Sequence, residues 1–352
     1  MANSNKIGFE HNLIYTLVEN ETIKTGQDIT MVTGNGSSIS DKKVLQGRAK
    51  RKTITQLMML VLIDIAKEDG DEIRQKAYWN TYYCQQMIVT SDGRSYGKYC
   101  KNRFCTLCNS IRKAELINKY FPVMSEWENP YFVTLTVKAC DAKNLPRYIK
   151  KFIQGFQRIS ATHRKRYQRG KGRPLIGVRS LECNFNPVKR TYNPHFHIIT
   201  RDRYTAEVLV DEWLNLWTSK FTNRVAQDMR PVTDLEAGLI EIIKYGSKIF
   251  TEPDMKKSLK GKSRVMVYAR ALDNIFKAMK RTRIFDRFGF NLPAQKTNEI
   301  SSTQLLSNFE EWEYDSSKSD WINTSTGSPL ANYQLPVLIE STLKDFVNLT
   351  LK

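Results

Sequence analysis

"SLECNFNPVKRTYNPHFHI" (residues 180–198) reads as two strands joined by a turn. Its flanks, "IGVRSLECNF" (176–185) and "PHFHIIT" (194–200), alternate in the strand manner, and Asn and Pro punctuate the segment between them. Taking 186–193 as a symmetric loop pairs residue 185 with 194 and 182 with 197. Glu182 then lies opposite His197, and Asn184 opposite His195. Side chains alternate across a strand, so both imidazoles emerge on one face. Leu181, Cys183, Phe185, Phe196 and Ile198 fall on the other face, as shared core. A third strand, "YFVTLTVKA" (131–139), adds Val133, Leu135 and Val137 to one face and Thr134 and Thr136 to the other. The expected sheet therefore has one greasy face and one that gathers two histidines, a carboxylate and threonines.

Outward from these strands, helical periodicity covers 42–76, 109–121, 145–173, 205–228, 235–250 and 268–284, with "RPVTD" (230–234) a short strand or turn. Strands mixed with helices, without a regular βαβ beat, predict an α+β fold built on a mainly antiparallel sheet.

The chain has 352 residues and four histidines, two of which are His195 and His197. Two imidazoles on one strand face suit a divalent metal given one or two further ligands, or else form a polar pair on a solvated face. Glu182 is either the third ligand or a solvent-facing acid paired with a nearby cation. A His/His/Glu set with open positions suits Mg²⁺ or Mn²⁺, with a bound phosphate group and water supplying the remaining oxygens.

Lys and Arg number 55 against 36 Asp and Glu, a formal net charge of +19. Residues 299–352 hold eight acids and three lysines, so that segment is −5 and the first 298 residues are +24. Such a surplus points to a nucleic-acid or other polyanionic partner for the body of the chain. The basic stretches "HRKRYQRGKGR" (163–173) and "KSLKGKSR" (257–264) are candidate phosphate contacts or solvated loops. The longest apolar run, "LMMLVLIDIA" (57–66), is too short to span a membrane and includes Asp64. The start of the chain lacks the apolar core of a signal peptide. A cytoplasmic location is expected, and six cysteines there read as thiols or metal ligands rather than disulfides.

Four of those cysteines, Cys84, Cys100, Cys105 and Cys108, fall within "YYCQQMIVTSDGRSYGKYCKNRFCTLCNSIRK". "TSDGRS" is a turn between two short strands, and Cys105-x-x-Cys108 is a knuckle. Four thiolates would close a structural Zn²⁺ site; the alternative is reduced, unliganded thiols. Arg103, Arg112 and Lys113 lie close by in sequence and would help to hold duplex or hairpin DNA. Cys140 and Cys183 read as core or strand residues.

"LIEIIKYGSKIF" (239–250) spaces Glu241, Tyr245 and Lys248 at i, i+4 and i+7, one polar stripe on a helix. A phenol is unreactive near its free pKa of about 10, but a lysine or metal favours the phenolate, which can attack a phosphodiester. Glu241 is placed to act as general base toward water. Ordinary surface packing is the bland alternative.

In order, "YFVTLTV", "NPHFHIIT" and "KYGSK" resemble the three motifs of HUH-type single-strand endonucleases, and most nearly the single-tyrosine rolling-circle replication initiators (Rep proteins) of small bacterial plasmids. The likeness runs from about Lys42 to about Arg287 and includes "RSLECNFN" and "CKNRFCTLCNSIRKAEL". It implies an α+β fold with an HUH-endonuclease-like central antiparallel sheet flanked by helices and an N-terminal-side zinc-binding cysteine unit. It further implies a nick at a hairpin origin, a 5′-phosphotyrosine link and a free 3′-OH primer. In that scheme Tyr245 is the nucleophile, His195 and His197 are metal ligands, Glu241 activates water for the terminating cleavage, and Lys248 is the motif lysine. Origin DNA, single-stranded or hairpin, is the expected partner, together with a host helicase and polymerase. Two-tyrosine relatives carry a second tyrosine one turn on, where this chain has Ile249. A relaxase or transposase of the same superfamily, or a zinc-containing DNA-binding regulator without catalysis, are the alternatives.

The expected organisation is a flexible segment 1–41, a basic helix with the cysteine unit over 42–122, a nicking and joining domain over 123–298, and a poorly structured acidic tail over 299–352.

Overall fold

A computed structural model describes residues 30–33, 36–103, 105–186, 188–243, 269–293 and 303–335. The first described elements are β1 (Thr30–Thr33), β2 (Ser37–Ser38), α1 (Lys42–Glu68), α2 (Glu72–Tyr82), β3 (Met87–Ser91), β4 (Arg94–Gly97) and α3 (Thr106–Met124). Then come β5 (Tyr131–Thr136), α4 (Leu145–Gln168), β6 (Gly177–Asn186), β7 (Thr191–Thr200), α5 (Arg203–Phe221), β8 (Asp228–Pro231) and α6 (Leu235–Ile243). Last are α7 (Ala269–Met279), β9 (Phe285–Phe288), β10 (Thr303–Leu306), β11 (Glu310–Asp315) and β12 (Asp320–Asn323). No helix among the described residues is long and apolar enough to cross a membrane.

The described residues within Thr55–Tyr82 and Lys101–Ala294 belong to one compact unit. Its antiparallel sheet has the order β8-β5-β7-β6-β9, so the histidine strand β7 is central. One face of this sheet is covered by α4 and α5. Phe196 on β7 is fully buried and packs with Phe152 and Phe156 of α4 and Trp213 of α5, ring centroids 5.3–5.9 Å apart. Burying a side chain of that size is worth about 1.5–3 kcal/mol, which fixes which face of β7 turns inward. Asp202 begins α5 by accepting from the Thr205 N–H at 2.7 Å, and Asp234 begins α6 by accepting from the Ala237 N–H at 3.0 Å.

The opposite face is not uniformly polar, which corrects the sequence expectation. Phe132, Val178 and Ile199 share it, and they form a core with Leu239 and Ile242 of α6 and Tyr120 and Met124 of α3. One half of the face is thus roofed by helices and the other half carries the histidines.

The hairpin register also differs from the expectation. Glu182 pairs with His195, Ser180 with His197 and Asn184 with Asn193. The strands extend to Asn186 and Thr191 because the turn is short: Asn186 Oδ1 accepts from the Val188 and Lys189 N–H groups at 3.0 Å, and Arg190 closes it at φ 50°. The slip is two residues, so parity is kept and Glu182 stays on the histidine face. Pro194 is tolerated in a central strand because the β5 ladder has ended at His195.

The second unit contains the described residues within Met1–Ile54, Tyr83–Cys100 and Gln295–Leu335. Its five-stranded sheet has the order β12-β11-β3-β4-β2, beside a β1–β10 pair. The β3–β4 turn expected at "TSDGRS" forms on Asp92 and Gly93, both at positive φ (48° and 70°), as a two-residue hairpin with right-handed twist requires. The expected poorly structured tail is corrected here, since β10, β11 and β12 lie inside 299–352. In "EEWEYD" the acids face solvent while Trp312 and Tyr314 turn into a core with Leu45, Ile88 and Trp321. Asp320, fully buried, accepts from the N–H groups of Trp321, Ala331 and Tyr333 at 2.8–3.1 Å. The flexible segment expected over 1–41 is corrected likewise at β1 and β2, and the boundary expected at residue 122 falls inside α3. Part of the basic opening of α1 is internal: Arg48 lies over Trp321 and Lys52 over Tyr314, centroids 5.5 and 5.2 Å away.

Candidate active site

Strand pairing alone brings three side chains together. β7 presents His195 and His197, β6 presents Glu182, and β5 places Thr134 beside His197 and Thr136 beside His195. Glu182 Oε2 lies 3.7 Å from His195 Nε2 and 3.6 Å from His197 Nε2. The two imidazole centroids are 4.8 Å apart. Glu182 is 1 % exposed at its side chain and His197 15 %, so the cluster opens on the His197 side.

The outer atoms fix the ring orientations. His195 Nδ1 lies 3.0 Å from the Asn193 carbonyl, which only accepts, so Nδ1 carries the proton and Nε2 offers its lone pair to the cluster. His197 Nδ1 is bonded to Thr134 Oγ1 at 3.2 Å. Thr136 donates to Asn193 Oδ1 at 3.0 Å. The end of β5 is pinned in turn. The Thr136 carbonyl accepts from Trp213 Nε1 at 3.1 Å and Thr222 Oγ1 at 2.9 Å, and its N–H donates to Gln227 Oε1 at 2.9 Å.

A lone pair and a carboxylate facing each other at 3.7 Å are too far apart to share a proton, since a charge-assisted bond spans about 2.7–2.9 Å. Ligands about 2.1 Å from one ion stand about 3.0 Å apart at right angles and about 3.4 Å apart at the tetrahedral angle. The Glu182–histidine spacings lie a few tenths of an ångström beyond that range, and the three side chains are of the kind a small divalent cation takes with positions left open.

Glu241 is half-buried on α6, two residues past Leu239 and next to Ile242, both of which pack on the sheet's apolar half. Tyr245 and Lys248, and the segment 257–264, lie outside the described residues.

The cysteines also converge. The Sγ atoms of Cys84, Cys100, Cys105 and Cys108 all lie within 4.8 Å of one another. Four thiolates about 2.3 Å from Zn²⁺ would stand about 3.8 Å apart. Cys84 Sγ accepts from the Cys100 N–H at 3.4 Å. The residue after each of these two, Gln85 and Lys101, takes φ 56°, a left-handed turn that non-glycine residues adopt only when held. Cys105 precedes the first turn of α3 and Cys108 lies within it. The donor chemistry and spacing fit zinc.

Sequence reasoning missed β9, having run a helix through 268–284. "FDRF" carried only a weak signal, a phenylalanine at each end of a charged pair after a helix that ends at Met279. It also missed Asn193, whose carbonyl sets the His195 tautomer.

A model of the replication protein family (Rep_1) matches residues 94–320. The chain is 29% identical over 244 residues to a "Protein rep" of Streptococcus pneumoniae serotype 2, covering 61% of this chain and 72% of the relative. It is 32% identical over 170 residues to a "Protein rep" of Staphylococcus aureus, covering 42% and 69%. A "Protein rep" of Bacillus sp is 27% identical over 146 residues, covering 39% and 45%. No solved structure matches.

Proposed function

Because the chain belongs to the Rep_1 replication protein family, we propose that it is a plasmid rolling-circle initiator that nicks one origin strand through Tyr245 and later rejoins it. The observation that carries this reading is the Glu182, His195 and His197 cluster, a carboxylate oxygen 3.6–3.7 Å from each of two imidazole nitrogens on a sheet face reached by α6. Its chemistry matches the metal-dependent nicking that the motif resemblance implies.

A Mg²⁺ or Mn²⁺ ion held by these three side chains would supply Lewis-acid polarisation of a non-bridging oxygen on the scissile phosphate. The Tyr245 phenolate oxygen attacks phosphorus, forming one P–O bond as the bond to the 3′ oxygen breaks. The departing 3′ oxygen takes a proton from solvent and becomes the primer end. One phosphodiester is exchanged for another, so no nucleotide energy source is needed. Lys248 favours the phenolate over the phenol. Glu241, four residues before Tyr245 in the sequence, accepts a proton from the water that completes the terminating cleavage. The four cysteines hold structural Zn²⁺. Origin DNA is the substrate; a host helicase unwinds the duplex and a host polymerase extends the freed end.

A nicking assay tests this on single-stranded DNA carrying the origin of the encoding plasmid, with Mn²⁺ or with EDTA. An adduct on the 5′ end of one product, lost in Tyr245→Phe and in EDTA, is the expected result. Tight origin binding without adduct in either protein would instead support the non-catalytic regulator, and an adduct that survives Tyr245→Phe would reassign the nucleophile.

A further inference from the structure

A cleft of about 420 Å³ opens between α3, the end of α6 and β9. Five cations rim it, Arg103, Arg112, Lys113, Arg283 and Arg287, against one carboxylate, Asp286. Its floor is apolar and partly aromatic: Leu116, Tyr120, Ile242 and Phe285. Tyr120 and Phe285 meet edge to face at 5.1 Å. Ser180 also lines the cleft, and Ser180 is the cross-strand partner of His197. The cleft therefore reaches the histidine face one strand, about 5 Å, away from the metal cluster.

We propose that this cleft seats a segment of single-stranded DNA adjoining the scissile phosphate, its phosphates on the arginine rim and a base on the Tyr120–Phe285 floor. The inference rests on the nicking function proposed above and adds the path of the strand. Every nucleotide pairs an anion with a flat π-face, and a basic rim over an aromatic floor answers both. A duplex keeps its bases stacked inward and would leave the floor unused. The volume is that of a small-ligand site, too small for a double helix.

Charge within the cleft supports the assignment. Asp286 is already engaged by Arg283 at 3.2 Å and by Arg179 at 3.5 Å. Arg103, Arg112 and Arg283 crowd like charges along one rim. Arg112 is oriented by bonds to Asn109 Oδ1 and the Lys101 carbonyl, both at 3.2 Å, and Arg287 by a bond to the Phe290 carbonyl at 3.2 Å. Such a cluster is stabilised when a polyanion fills it.

The test is fluorescence anisotropy of a labelled oligothymidylate against the full chain over a range of salt, comparing wild type with Arg112→Ala/Arg283→Ala. Two lost phosphate contacts should flatten the slope of log K against log salt by about 1.4 and weaken binding on the order of a hundredfold at physiological salt. Mn²⁺ binding, read by titration calorimetry, should not change. If the double variant loses its thermal transition, Arg283→Glu, on a side chain 75 % exposed, should flatten the same slope. An unchanged slope and affinity in a folded variant overturns the cleft, as does a loss confined to duplex binding. Adduct formation by wild type is scored separately. A moved slope without any adduct keeps the cleft and sinks the nicking reading; an adduct with an unmoved slope sinks the cleft alone.

Discussion

Glu182→Gln separates a metal ligand from a structural ion-pair partner, because it keeps the side chain's shape and removes its charge. At Mn²⁺ a hundredfold above its dissociation constant, a site that exists only in the folded protein adds about 2.7 kcal/mol of stability. In a folding unit of roughly 150–250 residues, each kcal/mol moves Tm by about 2–4 °C, so wild type should gain about 5–11 °C on adding the ion. Glu182 Oε2 faces both imidazole Nε2 atoms at 3.6–3.7 Å, so its loss removes the one anionic donor of the three. Losing a group that only orients a ligand costs about 10–100-fold in affinity, and loss of a direct donor should reach the upper end. At the same Mn²⁺ concentration the variant then gains only about 0.4 kcal/mol, a shift of about 1–2 °C. In EDTA the exchange of a buried carboxylate for a neutral amide of the same shape should leave Tm equal or higher. Scanning fluorimetry with Mn²⁺ and with EDTA reads all four values. A variant that melts several degrees early in EDTA yet keeps the full Mn²⁺ shift would refute the reasoning, and Glu182 would be a structural partner of the histidines.

Two further expectations concern the scaffold. Gly289 takes φ 76°, and a Cβ there would stand 1.9 Å from the Leu175 carbonyl oxygen, a backbone atom that cannot swing aside. Gly289→Ala should therefore cost roughly 3–4 kcal/mol and lower Tm by about 10 °C, and a melting curve within about 2 °C of wild type would contradict this. Burial, reinforced by the charge of Asp141, pushes the Cys140 thiol up to about 11, and burial raises Cys183 further. Only the thiolate is alkylated, so native protein treated with iodoacetamide near pH 7.5 should remain unmodified at both, with Cys140 labelling rising only above about pH 10. Peptide mass spectrometry showing half-labelling of Cys140 near pH 8.5, the value of a free thiol, would be the contrary result.

The histidine face was legible because alternation is a local property. Parity along "ECNF" and "PHFHI" places Glu182, His195 and His197 together whether the register is off by two or not. The register itself was not legible, because it turns on whether Asn186 folds its side chain back on Val188 and Lys189, a choice among turns of similar composition. The helical roof over Phe132, Val178 and Ile199 escaped for a different reason. Which half of a face is covered depends on where α3 and α6 cross the sheet, and periodicity says nothing of crossing points. The C-terminal strands were misread by composition. "EEWEYD" alternates as a strand should, with Trp312 and Tyr314 inward, but its acids weigh on any average taken across the segment. The rim of the cleft was half visible in Arg103, Arg112 and Lys113. Arg283 and Arg287 join it only through the β6–β9 pairing, a contact between segments about a hundred residues apart that no local pattern announces.

The pairing of β11 with β3 has a consequence for how the protein is made. Trp312 bonds to Thr90 across 222 positions of chain. At a ribosomal rate of about 5–20 residues per second, the β3–β4 hairpin waits roughly 10–45 s for the strand that covers its outer edge. Through that interval Met87–Ser91 is an open edge, the kind of backbone that recruits other chains. Deleting the acidic segment to remove an apparently dispensable tail should yield aggregates rather than a trimmed protein, and nascent chains should lean on chaperones until translation passes Asn323. Closure of that sheet marks a chain that has been translated as far as β12.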